Sequence, residues 1–148
     1  MIGVMPAITF RFGALDDVPA ILEFWRWAAV DDPQRPSDTS EMVERLIERD
    51  AAALVLAVDD DGGLVGSVIA GWDGWRCHLY RLAVAPDRRR EGIGAALVRE
   101  AERRFRELGG TRADAMVLDA NDVAHQGWRA WGYRPQDDCH RWVKPLTG

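Results

Sequence analysis

Eight consecutive residues, Arg88-Arg89-Arg90-Glu91-Gly92-Ile93-Gly94-Ala95, place a block of positive charge directly ahead of two spaced glycines. Free N–H groups at a helix start, with glycines that let a ligand approach, form a cradle for an anion. A diphosphate is the natural guest, and Arg89 and its neighbours add charge. The bland alternative is that Gly92 and Gly94 only shape a turn while the arginines are solvated. The loop is neither a Walker loop, which needs Gly-Lys-Ser/Thr, nor the three-glycine dinucleotide fingerprint, so a nucleotide-phosphate binder ranks low. A second group, His78 and Tyr80, lies two residues apart, on one face of any strand. An imidazole, with a reference pKa of ~6.5, suits a base at neutral pH, although an ordinary strand histidine explains His78 as well.

The elements that position these groups read as follows. Residues 8–12 alternate and suggest a first strand. Asp16 or Asp17 caps a helix that tolerates Pro19 in its first turn, with Val18, Ile21, Leu22, Trp25 and Ala29 as its apolar stripe. Asp38-Thr39-Ser40-Glu41 opens a second helix bearing Met42, Leu46 and Ile47. Strands are expected at 52–58, 64–72 and 76–84. The turns Asp60-Asp61-Gly62-Gly63 and Asp73-Gly74 join them, so they run antiparallel. A long helix spans 92–108, burying Ile93, Leu97, Val98, Ala101, Phe105 and Leu108, with Glu100–Arg104 and Glu102–Arg106 paired on its wet side. A strand at 113–118 must run parallel to that at 76–84, because a helix crosses between them. Asn121 caps a further helix carrying Ala124, Trp128 and Trp131, and a last strand is expected at 140–145. The fold class is α+β, a mixed, mostly antiparallel sheet flanked by helices.

Composition narrows the function classes. The 148 residues suit a single domain, 1–148, and 47% hydrophobic with 29% charged residues argues against disorder. A net charge of −5 argues against a general nucleic-acid binder. The longest apolar run, residues 51–58, falls far short of the ~20 residues of a membrane helix, and no signal peptide is read. Cys77 and Cys139 make neither a metal spacing nor a disulfide framework, so a reduced, cytoplasmic protein without a metal is expected. Eighteen arginines stand against one lysine, Lys144, a bias that reads first as genomic base composition. Among seven tryptophans, Trp25 and Trp27 are candidates for holding a cation, though most tryptophans are core. Asp31, Asp32 and Asp38 form an acidic stretch that attracts an amine or simply aids solubility.

The stretch Leu82-Ala83-Val84-Ala85-Pro86, then Arg89-x-x-Gly92-x-Gly94, resembles the acetyl-CoA signature of the GNAT family of N-acetyltransferases, whose loop reads Gln/Arg-x-x-Gly-x-Gly/Ala. Asn121-x-x-Ala124, Trp128 and Trp131-Gly132-Tyr133 resemble the family's later motif, and Asp73-Gly74-x-Arg76 is similar to a segment of small single-domain bacterial members. The resemblance covers about residues 8–145. It implies an acyltransferase fold in which the fourth and fifth expected strands run parallel but splay apart, with the pantetheine arm of acetyl-CoA in the gap. Backbone groups of Leu82 and Val84 would pair with that arm, and an N–H at Leu82 or Ala83 would polarise the thioester carbonyl. Arg89, Arg90, Glu91, Gly92, Ile93, Gly94 and Ala95 would hold the pyrophosphate. Asn121 would bond the pantetheine or order the loop, or merely cap its helix.

The implied reaction is direct attack of a primary amine, on a small molecule or a protein N-terminus, within a ternary complex. Acetyl-CoA is the co-substrate, no metal is involved, and a homodimer is compatible with the family. Two departures from the pattern stand out. Many relatives place a Tyr acid seven residues after the Asn, where this chain has Trp128, whose indole N–H is a poor acid. The seats of a base Glu correspond to Tyr80 and Met116. Tyr80 and His78 are therefore the candidate catalytic residues, and Trp128 is expected to line the cofactor gap. The alternative is a non-catalytic acyl-CoA-binding or regulatory module.

Overall fold

A computed structural model describes residues 2–5, 7–28 and 37–147. Its sheet has six strands in the order of the chain. These are β1 (Gly3–Met5), β2 (Ile8–Phe12), β3 (Leu54–Asp59), β4 (Leu64–Trp72), β5 (Cys77–Val84) and β6 (Ala113–Ala115). Every neighbouring pair is antiparallel except β5 with β6, which is parallel. Four α-helices accompany it: α1 (Val18–Ala28), α2 (Ser40–Arg49), α3 (Ile93–Glu107) and α4 (Asp122–Ala130). The α+β class and the mixed, mostly antiparallel sheet agree with the expectation from sequence.

Period-two geometry explains how the layers form. Gly66 and Ser67 are adjacent on β4 and point to opposite faces. A Cβ on Gly66 would meet Leu97 and Ile93 of α3, whereas Ser67 takes a hydrogen bond from Trp25 of α1. Helices α1 and α2 thus cover one face and α3 the other. Strand β3 lies between both layers and buries Leu54, Val55, Leu56, Ala57 and Val58, which is why its sequence is an unbroken apolar run. Helix α3 buries Ile93, Ala96, Leu97, Val98, Ala101 and Phe105, each large side chain contributing roughly 1.5–3 kcal/mol over leaving it in water.

Several expectations need correction. Residues 140–145 form no strand and lie exposed, with Trp142 at 93%; Trp142 and Val143 are adjacent, so the segment has no apolar face to lay on the sheet. Strand β1 replaces it in the count, paired to β2 by Gly3↔Phe10, Val4↔Thr9 and Met5↔Ile8. Strand β6 stops at Ala115 instead of 118. Leu108 is 41% exposed, because it follows the last turn of α3. The arginines of α3 choose other partners than expected: Arg103 bonds Glu100 and Glu107, while Arg104 reaches Asp50 and the Ala70 carbonyl. Ala29, Asp31 and Asp32 lie outside the described residues. Among the described residues no helix is long and apolar enough to cross a membrane, and no metal-holding cluster of His, Cys, Asp and Glu is present.

Candidate active site

The site begins where β5 loses its neighbour. β6 pairs with β5 only at Cys77↔Ala113, His78↔Asp114 and Leu79↔Ala115. β5 continues to Val84, so among the described residues no strand pairs with one main-chain edge of residues 80–84. An extended ligand can pair with such an edge. Leu82 and Val84 are half-buried there, and Ala83 is buried.

The edge runs into the glycine loop. A short 3-10 turn (Pro86–Arg88) follows β5, and α3 opens with Gly92 as its N-cap and no side-chain cap. The first N–H groups of the helix are left for a guest. Gly92 has φ +84°, the left-handed region. A Cβ at Gly94 would stand 3.2 Å from the Trp131 ring, so the backbone there packs close. Arg88 is committed to Glu91 at 2.8 Å and to Asp59 at 3.7 Å. Glu91 therefore restrains the loop through Arg88. Arg89 and Arg90 are exposed and make no ion pair among the described residues. Ile93 is buried and Ala95 half-buried, so both face the loop with main chain rather than side chain. The arrangement fits a phosphorylated guest that also has an extended arm.

A β-bulge shapes the edge. Ser67 pairs with Ala83 and Ile69 with Tyr80, leaving Val68 opposite both Arg81 and Leu82. Arg81 takes φ +52°, a left-handed conformation that costs a side-chain-bearing residue roughly 1–2 kcal/mol. Its neighbours hold it there. Ser67 Oγ donates to the Arg81 carbonyl at 2.8 Å and accepts from Trp25 Nε1 at 2.9 Å. The Arg81 guanidinium binds Asp38 and sits 5.8 Å above the Trp25 ring. Trp25 is 4% exposed and its cation is Arg81, which leaves it no face for a substrate. Trp27 is exposed, edge-on to Phe24.

His78 and Tyr80 share the α2 side of β5 and line one cavity of about 170 Å3, with Asp50, Asp73, Arg49 and Leu46. His78 Nδ1 stands 2.7 Å from Asp114 Oδ1. A carboxylate only accepts, so Nδ1 carries the proton and, in the neutral ring, Nε2 keeps its lone pair. Burial pushes the Tyr80 phenol up, so it keeps its proton at neutral pH. Met116, the other expected seat of a base, is 62% exposed beyond the end of β6.

Helix α4 closes the aromatic side. Asn121 Oδ1 accepts the Ala124 N–H, the cap expected from sequence. Trp128 is 9% exposed and packs edge-on against Trp131 and Tyr133 with centroids 5.2 and 4.9 Å away. Tyr133 donates to Glu102, and burial first, then that carboxylate, push its phenol above its ordinary value. It therefore offers no readily released proton.

The model of the GNAT acetyltransferase family matches residues 20–133. The chain belongs to the GNAT acetyltransferase family. An acetyltransferase of Yersinia pestis is 32% identical over 123 residues, 82% of this chain and 84% of that protein. One from Pectobacterium atrosepticum is 36% identical over 109 residues, covering 73% and 74% of the two chains. Among solved structures, the PaiA N-acetyltransferase of Thermoplasma acidophilum in complex with coenzyme A superposes with a TM-score of 0.76 at 20% identity, over 88% of this chain and 91% of that one. A phosphinothricin acetyltransferase of Sinorhizobium meliloti, in complex with acetyl-CoA, gives 0.73 at 22% identity over 88% and 76%. The splayed parallel pair expected of a GNAT fold is present. Sequence reading missed Asp114, Arg81 and Ser67, and it placed Asp38 in an acidic stretch facing an amine or solvent, whereas Asp38 binds Arg81. Only the cross-strand register would have pointed to Asp114, and no local signal marks the others.

Proposed function

We propose that this GNAT protein transfers an acetyl group from acetyl-CoA to a primary amine by direct attack, with both substrates bound together. The observation that carries the reading is the open edge of β5 beyond Leu79, continuous with an uncapped helix start. Acetyl-CoA, when bound, supplies an acetyl group on a thioester. Main-chain N–H groups of Gly92, Ile93, Gly94 and Ala95 and the side chains of Arg89 and Arg90 hold its pyrophosphate. Leu82 and Val84 bind the pantetheine arm as an added strand, and Asn121 orders the loop above it. An N–H at Leu82 or Ala83 polarises the carbonyl. Trp128 forms the wall where relatives keep a phenol.

Proton traffic falls to β5. His78 Nε2 accepts the proton that the amine sheds as its nitrogen bonds to the carbonyl carbon. Asp114 keeps the ring in the required tautomer. The carbon–sulfur bond breaks and the Tyr80 hydroxyl delivers a proton to the sulfur. A thiolate near pKa ~8.5, by analogy with cysteine, is a tolerable leaving group, so this donor helps without being indispensable.

The test combines calorimetry with acetyl-CoA and thiol release over a panel of amines. Binding together with amine-dependent release of one thiol per acetylated amine is expected. Tight binding with no release by any amine would favour the non-catalytic acyl-CoA module instead. No binding would remove the acetyl-CoA assignment itself.

A further inference from the structure

The cavity on the α2 side of β5 is charged in a way that the acetyl transfer reading leaves unexplained. Three ionisable partners in it are already committed. Asp50 binds Arg104, whose Nε also donates to the Ala70 carbonyl. Asp73 Oδ1 accepts the N–H groups of Trp75 and Arg76, at 2.8 and 2.6 Å, and so serves the β4–β5 turn. His78 Nδ1 is held by Asp114. Arg49, at the last position of α2, is exposed and makes no ion pair among the described residues. Arg49 is therefore the cavity's cation without an ion-pair partner, and Asp73, whose carboxylate meets only N–H groups, keeps its negative charge beside it.

We infer that the acceptor is a small amino acid or similar amine bearing a free carboxylate, with that carboxylate on Arg49 and its amino group at His78. The inference rests on the acetyl transfer proposed above and narrows its acceptor. A planar guanidinium with paired donors matches a carboxylate and repels an ammonium. Leu46 and the Tyr80 ring offer apolar wall for a short side chain. The cavity, about 170 Å3 and open to solvent on one side, has room for an acceptor the size of alanine or β-alanine. A polyamine brings a second cation to Arg49. A protein N-terminus brings a peptide amide where the carboxylate belongs.

Matched acceptors test the inference on the full chain with saturating acetyl-CoA. Alanine and β-alanine are compared with their amides and with ethylamine, and thiol release gives kcat/KM. The acids are expected to exceed the amides at least tenfold. Arg49→Gln is expected to raise KM for the acids at least tenfold, Arg49→Lys to recover part of it, and acetyl-CoA affinity by calorimetry to stay the same in both. Amides and ethylamine turned over as well as the acids would overturn the carboxylate assignment and leave acetyl transfer standing. An Arg49→Gln variant with unmoved KM for the acids would overturn it in the same way. Acetyl-CoA binding with no release by any amine would take down acetyl transfer, and this inference with it.

Discussion

Arg81 and Asp38 stand 43 residues apart in the chain and meet with Arg81 Nη2 2.6 Å from Asp38 Oδ1. Both side chains are largely buried, at 17% and 15% exposure. The pair ties the segment that leads into α2 to the bulge of β5, and so fixes the strand edge from the acceptor side. Asp38→Asn should weaken that tie and lower stability by about 1–3 kcal/mol, less than a fully buried pair because some solvent reaches it. Arg81→Gly and Arg81→Met both lose the ion pair, but only glycine relieves the left-handed backbone. Thermal melting should therefore find the glycine variant more stable than the methionine variant by roughly 1 kcal/mol. The reverse order would show that φ +52° carries no strain.

Gly92→Val tests the cradle. Valine at φ +84° is strained, and its Cβ would stand 3.7 Å from Met5 Cε, so the loop has to leave the backbone path that frees the first N–H groups of α3. Calorimetry should show acetyl-CoA binding weakened at least tenfold, about 1.4 kcal/mol. Unchanged affinity in a folded variant would remove the loop from the binding site.

Proton transfer is tested on β5. His78→Gln should cut turnover by roughly 10²-fold or more, and Asp114→Asn by less, since the base remains but loses the partner that fixes its tautomer. Tyr80→Phe removes only a proton donor, so kcat should fall while acetyl-CoA affinity holds. Steady-state kinetics with one accepted amine decides each. Full turnover by Tyr80→Phe would make solvent the donor.

Much of the molecule is legible in its sequence. The Asp-Gly turns, the stripe of α3 from Ile93 to Phe105 and the loop from Arg89 to Ala95 are local patterns, and each formed where the residues placed it. Strand β1 is not legible, because Gly3-Val4-Met5 is too short to show a period and becomes a strand only by pairing with β2. Residues 140–145 err the other way, since the expected strand falls on a segment whose apolar residues, Trp142 and Val143, are adjacent and give no period of two. The two contacts that shape the site, the His78–Asp114 hydrogen bond and the Arg81–Asp38 ion pair, depend on strand register and on a bulge. Neither is written in any short window of sequence.

Trp128 is predicted to be a packing residue. Trp128→Ala should cost roughly 3–5 kcal/mol, because it removes a buried ring from contact with Trp131 and Tyr133. Trp128→Tyr should fold and keep or raise turnover. A folded, acetyl-CoA-binding but dead Trp128→Tyr would show that the indole itself is required.

Asp17 sets an acid-sensitive contact at the entrance to α1. Two hydrogen bonds from Arg11, then the Ala14 N–H, hold its carboxyl below the usual range. Its native proton affinity is thus lower than in the unfolded chain. The stabilisation is complete above the unfolded value of ~3.9 and is lost as pH falls through the native one. Asp17→Asn should melt below the parent at pH 7, and the gap should close in acid. A gap of constant size from pH 7 down to pH 2 would show that charge plays no part.

The three-residue pairing of β5 with β6 also dictates an order of assembly. Strands β3, β4 and β5 close through short local turns, which form fast, whereas β6 reaches β5 only after the whole of α3 has been laid across the sheet. The part of the molecule around β6 should consequently be the last to form, and it is held to β5 by three residue pairs only. A chain arrested midway would already own its hydrophobic centre and still lack its cleft. Exchange of amide hydrogens, pulsed during refolding, should protect Leu54 to Leu79 well before Ala113 to Ala115.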